Sequence, residues 1–426
     1  MTIDRTKPPS ANLVEYFANP LSRRIYLSNG IPVYIISGGT QPVLRIELIY
    51  KAGSYYQSFK LVANAANSLI AAGTSGRTAD EISEYFEFYG SNLDTRTEKD
   101  NAYLTLFTTN KFYKETLPVL AEVITDAIFP EEEVEIYKTT KRQTFSENLE
   151  KVKYLARVHF AEQIFGSTHP YGMRLQHKDI EQLDSQILRK FYHNYYQPAN
   201  TAIFVSGLIP ADFEEEIEKH LGNINPTVVS AQVTPDYQIR PSESKQILIN
   251  KNGVLQSAIR YGKPVINRTH DDYQELFILN TILGGYFGSR LMRNIREDKG
   301  YTYGINSMLF SMQQSGVLVI ASQVGIGVRE ATLKEIRKEI KLLCNEPVGD
   351  DELNTVKNYL LGSLMRSMDG PFDIAERLRA AWEYGQSAEY YHQYAHTIKS
   401  ITPPRLLELA NVYLDPESFF ETVAGK

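Results

Sequence analysis

Apolar residues recur at two spacings along this chain, two apart in some stretches and three or four apart in others. RIYLSNGIPVYIISG (24–38) holds two apolar runs around Asn29-Gly30, a tight-turn dipeptide, and PVLRIELIY (42–50) alternates; both read as strands. LVANAANSLIAAGT (61–74) switches to helical spacing through Leu61, Val62, Ala65, Leu69 and Ala72, with Gly73 as its stop. RTADEISEYFEFYG (77–90) predicts a second helix, capped by Thr78 and ended by Gly90. Residues 91–109 return to strands, 111–128 to a helix, and a long helical run is expected from Pro130 to Phe165. In that run, Glu131 to Glu133 at the start and Lys138, Lys141 and Arg142 further on suit a helix dipole. After the loop GSTHPYG come a helical patch (179–196), a strand (200–207) and a closing helix (210–224).

The same order then begins again. Residues 246–265 read as strands and 271–285 as a helix; after a glycine loop and a short helix, strands follow at 301–310 and 316–325. Two long helices come next, at 329–343 and 350–365. The segments 117–143 and 333–359 match in order and spacing at an offset of about 216 to 219 residues. Two copies of one α+β unit are therefore expected. Their bounds are 1–225 and 246–426, joined by a linker at 226–245 that carries three prolines and no helical period. Strands grouped before paired helices predict mainly antiparallel sheets with helices on one side.

Composition narrows the function classes. A net charge of −6 gives no general attraction for a phosphate backbone, which argues against nucleic acid. Cys344 is the only cysteine, so neither an internal disulfide nor a cysteine-rich metal site can form. No apolar run reaches membrane-spanning length and the first residues lack a signal pattern. The chain thus reads as cytoplasmic, or periplasmic if a leader has been removed.

All eight histidines lie beyond residue 158, so a metal site on the Leu61 helix would have to be built without imidazole or thiolate. Asn64, Asn67 and Ser68 share one face of that helix, and such residues prefer caps and turns to helix interiors. Glu147 alone reads as a solvated carboxylate on a long helix. His392 and His396, four apart, lack the third ligand and activating carboxylate of a zinc enzyme. GGYFGSR (284–290) follows a helix and has no Gly-Lys-Ser/Thr ending, so it is not a phosphate loop. Arg296, at a helix end, and Tyr303, expected just inside the next strand, could both donate to one carbonyl oxygen.

Five stretches together carry a resemblance: LSNGIPVYII, AAGTSGRTADEISEYFEFYGSNLDTRTEKD, HPYG at 169, YYQPANTAIFVSG, and LGGYFGSRLMRNIREDKGYTYGI. Over roughly residues 20 to 420 the chain resembles the pitrilysin/insulinase family of zinc peptidases, including its processing-peptidase branch. The resemblance implies two homologous α+β roll domains. Active members carry an inverted His-x-x-Glu-His motif on this first helix, with a downstream glutamate as third zinc ligand. Here the histidine positions fall on Asn64 and Ser68, the glutamate base on Asn67, and the downstream ligand on Glu147. An amide is a weak zinc ligand and Asn67 cannot take a proton from water, so no metal is expected in this chain.

In the second half the departure is smaller. Arg296 and Tyr303 match the family's substrate-binding pair, and Gly284, Gly285 and Gly288 match in position a glycine-rich loop that contacts substrate. The expectation is a non-catalytic subunit of a heterodimeric zinc metallopeptidase. It would bind peptide and supply Arg296 and Tyr303 in trans to zinc held by a homologous partner. The alternatives are a scaffold of the same fold without a peptidase role, a relocated metal site at His392 and His396, and a self-pairing peptide-binding protein.

Overall fold

The structure is a computed structural model that describes residues 22–224 and 236–426. The first half builds a six-stranded sheet from β1 (Arg23–Tyr26), β2 (Pro32–Ser37), β3 (Val43–Tyr50), β4 (Asn92–Thr97), β5 (Ala102–Thr109) and β6 (Thr201–Gly207). The second builds a five-stranded sheet from β7 (Gln246–Asn250), β8 (Gln256–Val265), β9 (Ile305–Ser311), β10 (Gly316–Gly325) and β11 (Phe420–Gly425). The strand orders are β1-β2-β6-β3-β5-β4 and β7-β11-β8-β10-β9. With β1 set aside, both sheets place their first, last, second, fourth and third strands side by side. Each has a single parallel pair, β2 with β6 and β7 with β11, and antiparallel ladders elsewhere. The two-copy α+β architecture, with mainly antiparallel sheets, is thus present down to strand order.

The helices repeat as well. The first half has α1 (Val62–Ser68), α2 (Ala79–Phe88), α3 (Tyr113–Thr125), α4 (Glu131–Leu149), α5 (Val152–Phe165), α6 (His177–Glu181), α7 (Ser185–Tyr195) and α8 (Phe213–Ile217). The second has α9 (Tyr273–Asn280), α10 (Arg329–Asn345), α11 (Asp350–Arg366), α12 (Pro371–Trp382), α13 (Glu389–Ser400) and α14 (Pro403–Tyr413). Thr78 and Glu81 form a full capping box on α2, and Gly90 adopts a left-handed φ just beyond its end, as expected. Three expected helices are shorter or split. The first ends at Ser68, the run from 130 to 165 breaks where Lys151 turns extended, and 179–196 divides into α6 and α7.

The expectation of helices on one side of each sheet is corrected by the third helix after each half's fourth strand. α5 leaves its own half and covers the far face of the second sheet, where Phe160, Ile164 and Phe165 pack with Val317, Val319 and Phe420. Gly262 makes room for it: a Cβ there would meet the Phe160 ring at 3.0 Å and the Leu318 carbonyl oxygen at 2.2 Å. α12, its counterpart, covers the far face of the first sheet through Ala375 and Leu378, against Ile36, Ile49, Tyr103 and Phe204. Each sheet is therefore buried on both sides, once by its own helices and once by a helix from the other half.

This exchange explains charges in the middle of β3. Its residues alternate: Leu44, Ile46, Leu48 and Tyr50 face the first core, and Arg45, Glu47 and Ile49 face α12. Arg45 and Glu47 are only 9% and 3% exposed. Arg45 Nη2 lies 2.9 Å from Glu47 Oε1, and Arg379 Nε of α12 lies 3.2 Å from Glu47 Oε2. Arg379 also pairs with Glu383 at 2.5 Å, and Tyr103 Oη donates to the same carboxylate at 2.7 Å. A second polar contact joins the halves at Asp100, which accepts from Tyr171 Oη and, at 3.0 Å, from the Gln313 backbone N–H between β9 and β10.

Residues 226–235 of the expected linker lie outside the described residues. The stretch 236–245 runs along the end of α5, with Arg240 N–H donating to Phe165 O and Ser242 N–H to Gln163 O.

Candidate functional site

The helix that carries the zinc-motif positions is α1, which starts after Leu61 takes a left-handed backbone conformation (φ 75°). Behind it lie β4 and β5, and α4 and α7 flank it. Asn67 is fully buried. Its Nδ2 donates to the carbonyl oxygens of Arg96 (3.0 Å) and Tyr103 (3.2 Å), and its Oδ1 accepts from Tyr196 Oη at 3.0 Å. Both hydrogens and the oxygen are thereby used. Burial pushes the Tyr196 phenol well up, so it remains a donor.

Asn64, one turn earlier, accepts from Tyr137 Oη at 2.8 Å and from Lys141 Nζ at 3.0 Å, both on α4. An ammonium thus sits on the amide oxygen at a histidine position of the motif. Burial lowers the Lys141 pKa. Ser68 is exposed. Glu147 lies exposed near the end of α4, accepting from Gln143 Nε2 at 3.1 Å.

The donor set around α1 is therefore a saturated amide at Asn67, an amide at Asn64 whose oxygen is occupied, a hydroxyl and a lysine. Those groups do not fit zinc, which takes thiolate, imidazole or carboxylate ligands. Among the described residues no three His, Cys, Asp or Glu side chains come together as a metal-binding group, at His392 and His396 or elsewhere.

In the second half, α9 runs into a wide helical turn, Thr281–Gly285, and the glycine loop follows. Its root is fixed on β9, where Asn280 Nδ2 donates to Ser307 O and Ser307 Oγ donates back to Asn280 O at 3.0 Å. Gly284 is required by close approach, because a Cβ would lie 2.6 Å from Ser307 N. Gly285 and Gly288 are exposed and half-buried, and a Cβ on either would press on a side chain, Thr281 or Tyr286. Phe287 at the tip is 62% exposed, and the Arg296 guanidinium stacks over its ring at 4.6 Å.

Arg296 lies in the last turn of the wide helical segment Met292–Asp298. Tyr303 was expected just inside the next strand. It lies instead in the turn before β9, which begins at Ile305, and is 95% exposed. Neither side chain hydrogen-bonds to or pairs with a charge on another described residue.

Sequence patterns missed three participants. Tyr137 and Lys141 meet Asn64, and Tyr196 meets Asn67, only because α4 and α7 pack beside α1; no local spacing signals that. Phe287 could have been noticed as a large apolar residue inside a glycine loop.

Comparison with known proteins fits this geometry. Residues 33–168 match the model of the insulinase peptidase family M16, and residues 182–360 match that of the "Peptidase M16 inactive domain". An uncharacterized zinc protease of Bacillus subtilis, YmxG, is 23% identical over 82% of this chain and 84% of its own length. A non-peptidase homolog of Helicobacter pylori is 21% identical over 83% of this chain and 82% of its own length. The crystal structure of a peptidase M16 inactive domain from Pseudomonas fluorescens superposes with a TM-score of 0.84 at 24% identity, covering 95% of this chain and 98% of that one. With both halves matched, the chain belongs to the insulinase (M16) family of peptidases.

Proposed function

We propose that this chain is the non-catalytic subunit of a two-chain zinc peptidase. It has no peptide hydrolysis of its own, helps hold an extended peptide, and presents Arg296 and Tyr303 to zinc bound by a homologous partner. One contrast carries the reading: Asn64 and Asn67 are engaged in internal hydrogen bonds, whereas Arg296, stacked on Phe287 of the glycine loop, and Tyr303 have no polar partner among the described residues. A relative described as a non-peptidase homolog supports the first half of it. The outermost strands β4 and β9, adjacent to the two sites, offer edges to which a peptide could add as a further strand.

In this role the guanidinium and the phenol orient the scissile segment and donate to its carbonyl oxygen as charge develops there. A well-placed donor of that kind contributes roughly 3 to 4 kcal/mol to the barrier. The proposed compartment is the cytoplasm, or the periplasm if a leader is removed; no helix among the described residues is long and apolar enough to cross a membrane.

The test mixes this chain with a same-genome relative that has an intact inverted zinc motif and follows cleavage of a quenched peptide library. Arg296→Ala and Tyr303→Phe should each lower turnover of the mixture by about 100-fold or more. Unchanged turnover in both variants would remove the in-trans role. A scaffold without a peptidase role, the competing reading, predicts no cleavage from any mixture.

A further inference from the structure

The second half holds a half-open cavity of about 180 Å³ between α9, α11, α12 and α13, beside Gly285 at the root of the glycine loop. Its lining includes Arg268 and Arg377 and no aspartate or glutamate. Both arginines are half-buried, and neither forms an ion pair with a described residue. Elsewhere Arg45, Arg290 and Arg379 meet carboxylates where they leave water, while half-buried Arg260 forms no ion pair with a described residue. A guanidinium withdrawn from water without an anion loses hydration that carbonyl and ring contacts restore only in part.

Arg268 is held rigidly. Its Nη1 donates to Ala380 O at 2.8 Å, its backbone N–H donates to Ser311 Oγ at 2.9 Å, and its guanidinium lies 5.4 and 5.3 Å from the rings of Tyr384 and Tyr390. Among the described residues its buried Nε has no acceptor and the buried Tyr394 Oη no partner. Both residues line the cavity, and its two guanidinium groups, on Arg268 and Arg377, meet no carboxylate among the lining residues. Burial pushes the Tyr390 phenol up to about 12, so it too is a hydrogen-bond donor near neutral pH. Phe277, Leu360 and Leu364 supply apolar wall.

We infer that this cavity binds a carboxylate carried on an amino-acid-sized apolar or aromatic group. Its volume equals that of about six waters, well below the size of a cofactor site. The two cations set the charge of the ligand, and the apolar wall favours a side chain over a bare hydrated anion. Such a carboxylate has two sources, a free small molecule or the C-terminal residue of a peptide. The inference does not rest on the two-chain peptidase, since it concerns a cavity wholly within this chain.

The experiment is calorimetric titration of the full chain with N-acetyl-L-phenylalanine, its uncharged amide, and a short peptide ending in phenylalanine as acid and as amide. The acids should bind saturably, and each amide at least about tenfold more weakly, the loss expected for a charge-assisted hydrogen bond. Arg377→Gln should weaken the acid by a similar factor, and Ser363→Phe, which fills the cavity from α11, should abolish binding; circular dichroism checks that both variants fold. Binding of the peptide acid assigns the site to chain ends, and binding of the small acid alone assigns it to free carboxylates. Absence of saturable binding by either acid overturns the inference, as does equal affinity for acid and amide or an unaltered affinity in Arg377→Gln.

Discussion

Asn67, expected from the resemblance to stand where active relatives carry their base, is wired as an interior strut. Two donors on its amide and one acceptor meet three groups on three other elements, and an aspartate of the same size would present oxygen to both carbonyls. Asn67→Asp should therefore destabilise the chain by about 2–4 kcal/mol in urea unfolding, the cost of leaving two buried acceptors without donors. A loss under about 1 kcal/mol would show the amide to be replaceable at that point. Identity at this position was legible in the sequence, because a motif has fixed spacing and the substitutions are plain. What replaced the metal was not legible. Lys141 reads locally as a charge suited to a helix dipole, and only the packing of α4 on α1 delivers its ammonium to Asn64.

Among the elements, α12 shows most clearly what a local pattern leaves out. The alternation of β3 correctly marks a strand, yet the arginine and glutamate on its polar face are buried, because a helix more than 300 residues later covers them. Burial pushes the Glu383 carboxyl up against the pull of Arg379, so the pairing there is held at a desolvation cost. Arg379→Met should cost about 3–5 kcal/mol in chemical denaturation, since Glu383 would keep its burial and lose its cation while Glu47 would be left with Arg45 alone. A neutral result would mean that water or Arg45 compensates. Element types were readable from periodicity almost throughout, but ends were not: the break at Lys151 has no glycine or proline to announce it, and Tyr303 stops short of its strand.

At the scale of the whole molecule, the repeat predicted from sequence holds down to strand order, while the exchange of α5 and α12 makes the halves interdependent. The only tryptophan, Trp382, closes α12 and packs against Tyr34 and Phe204 of the first sheet. Its fluorescence therefore reports undocking of the halves, and far-ultraviolet circular dichroism reports loss of helix in both. Coincident urea transitions by the two probes are expected, because neither sheet keeps its far face covered once the helices withdraw. A fluorescence transition well ahead of the circular dichroism change would mean that the halves fold separately.

A divided active site requires cooperation between chains, and the most direct measurement is cleavage of a quenched peptide library with zinc supplied. This chain is assayed alone, the relative with the intact zinc motif alone, and then the two together. The division of labour predicts no turnover from this chain and strong turnover only from the mixture, lost again with Arg296→Ala. Turnover by this chain alone would contradict it, because the hydrogen-bonded amides at Asn64 and Asn67 could not then be the whole story of the motif.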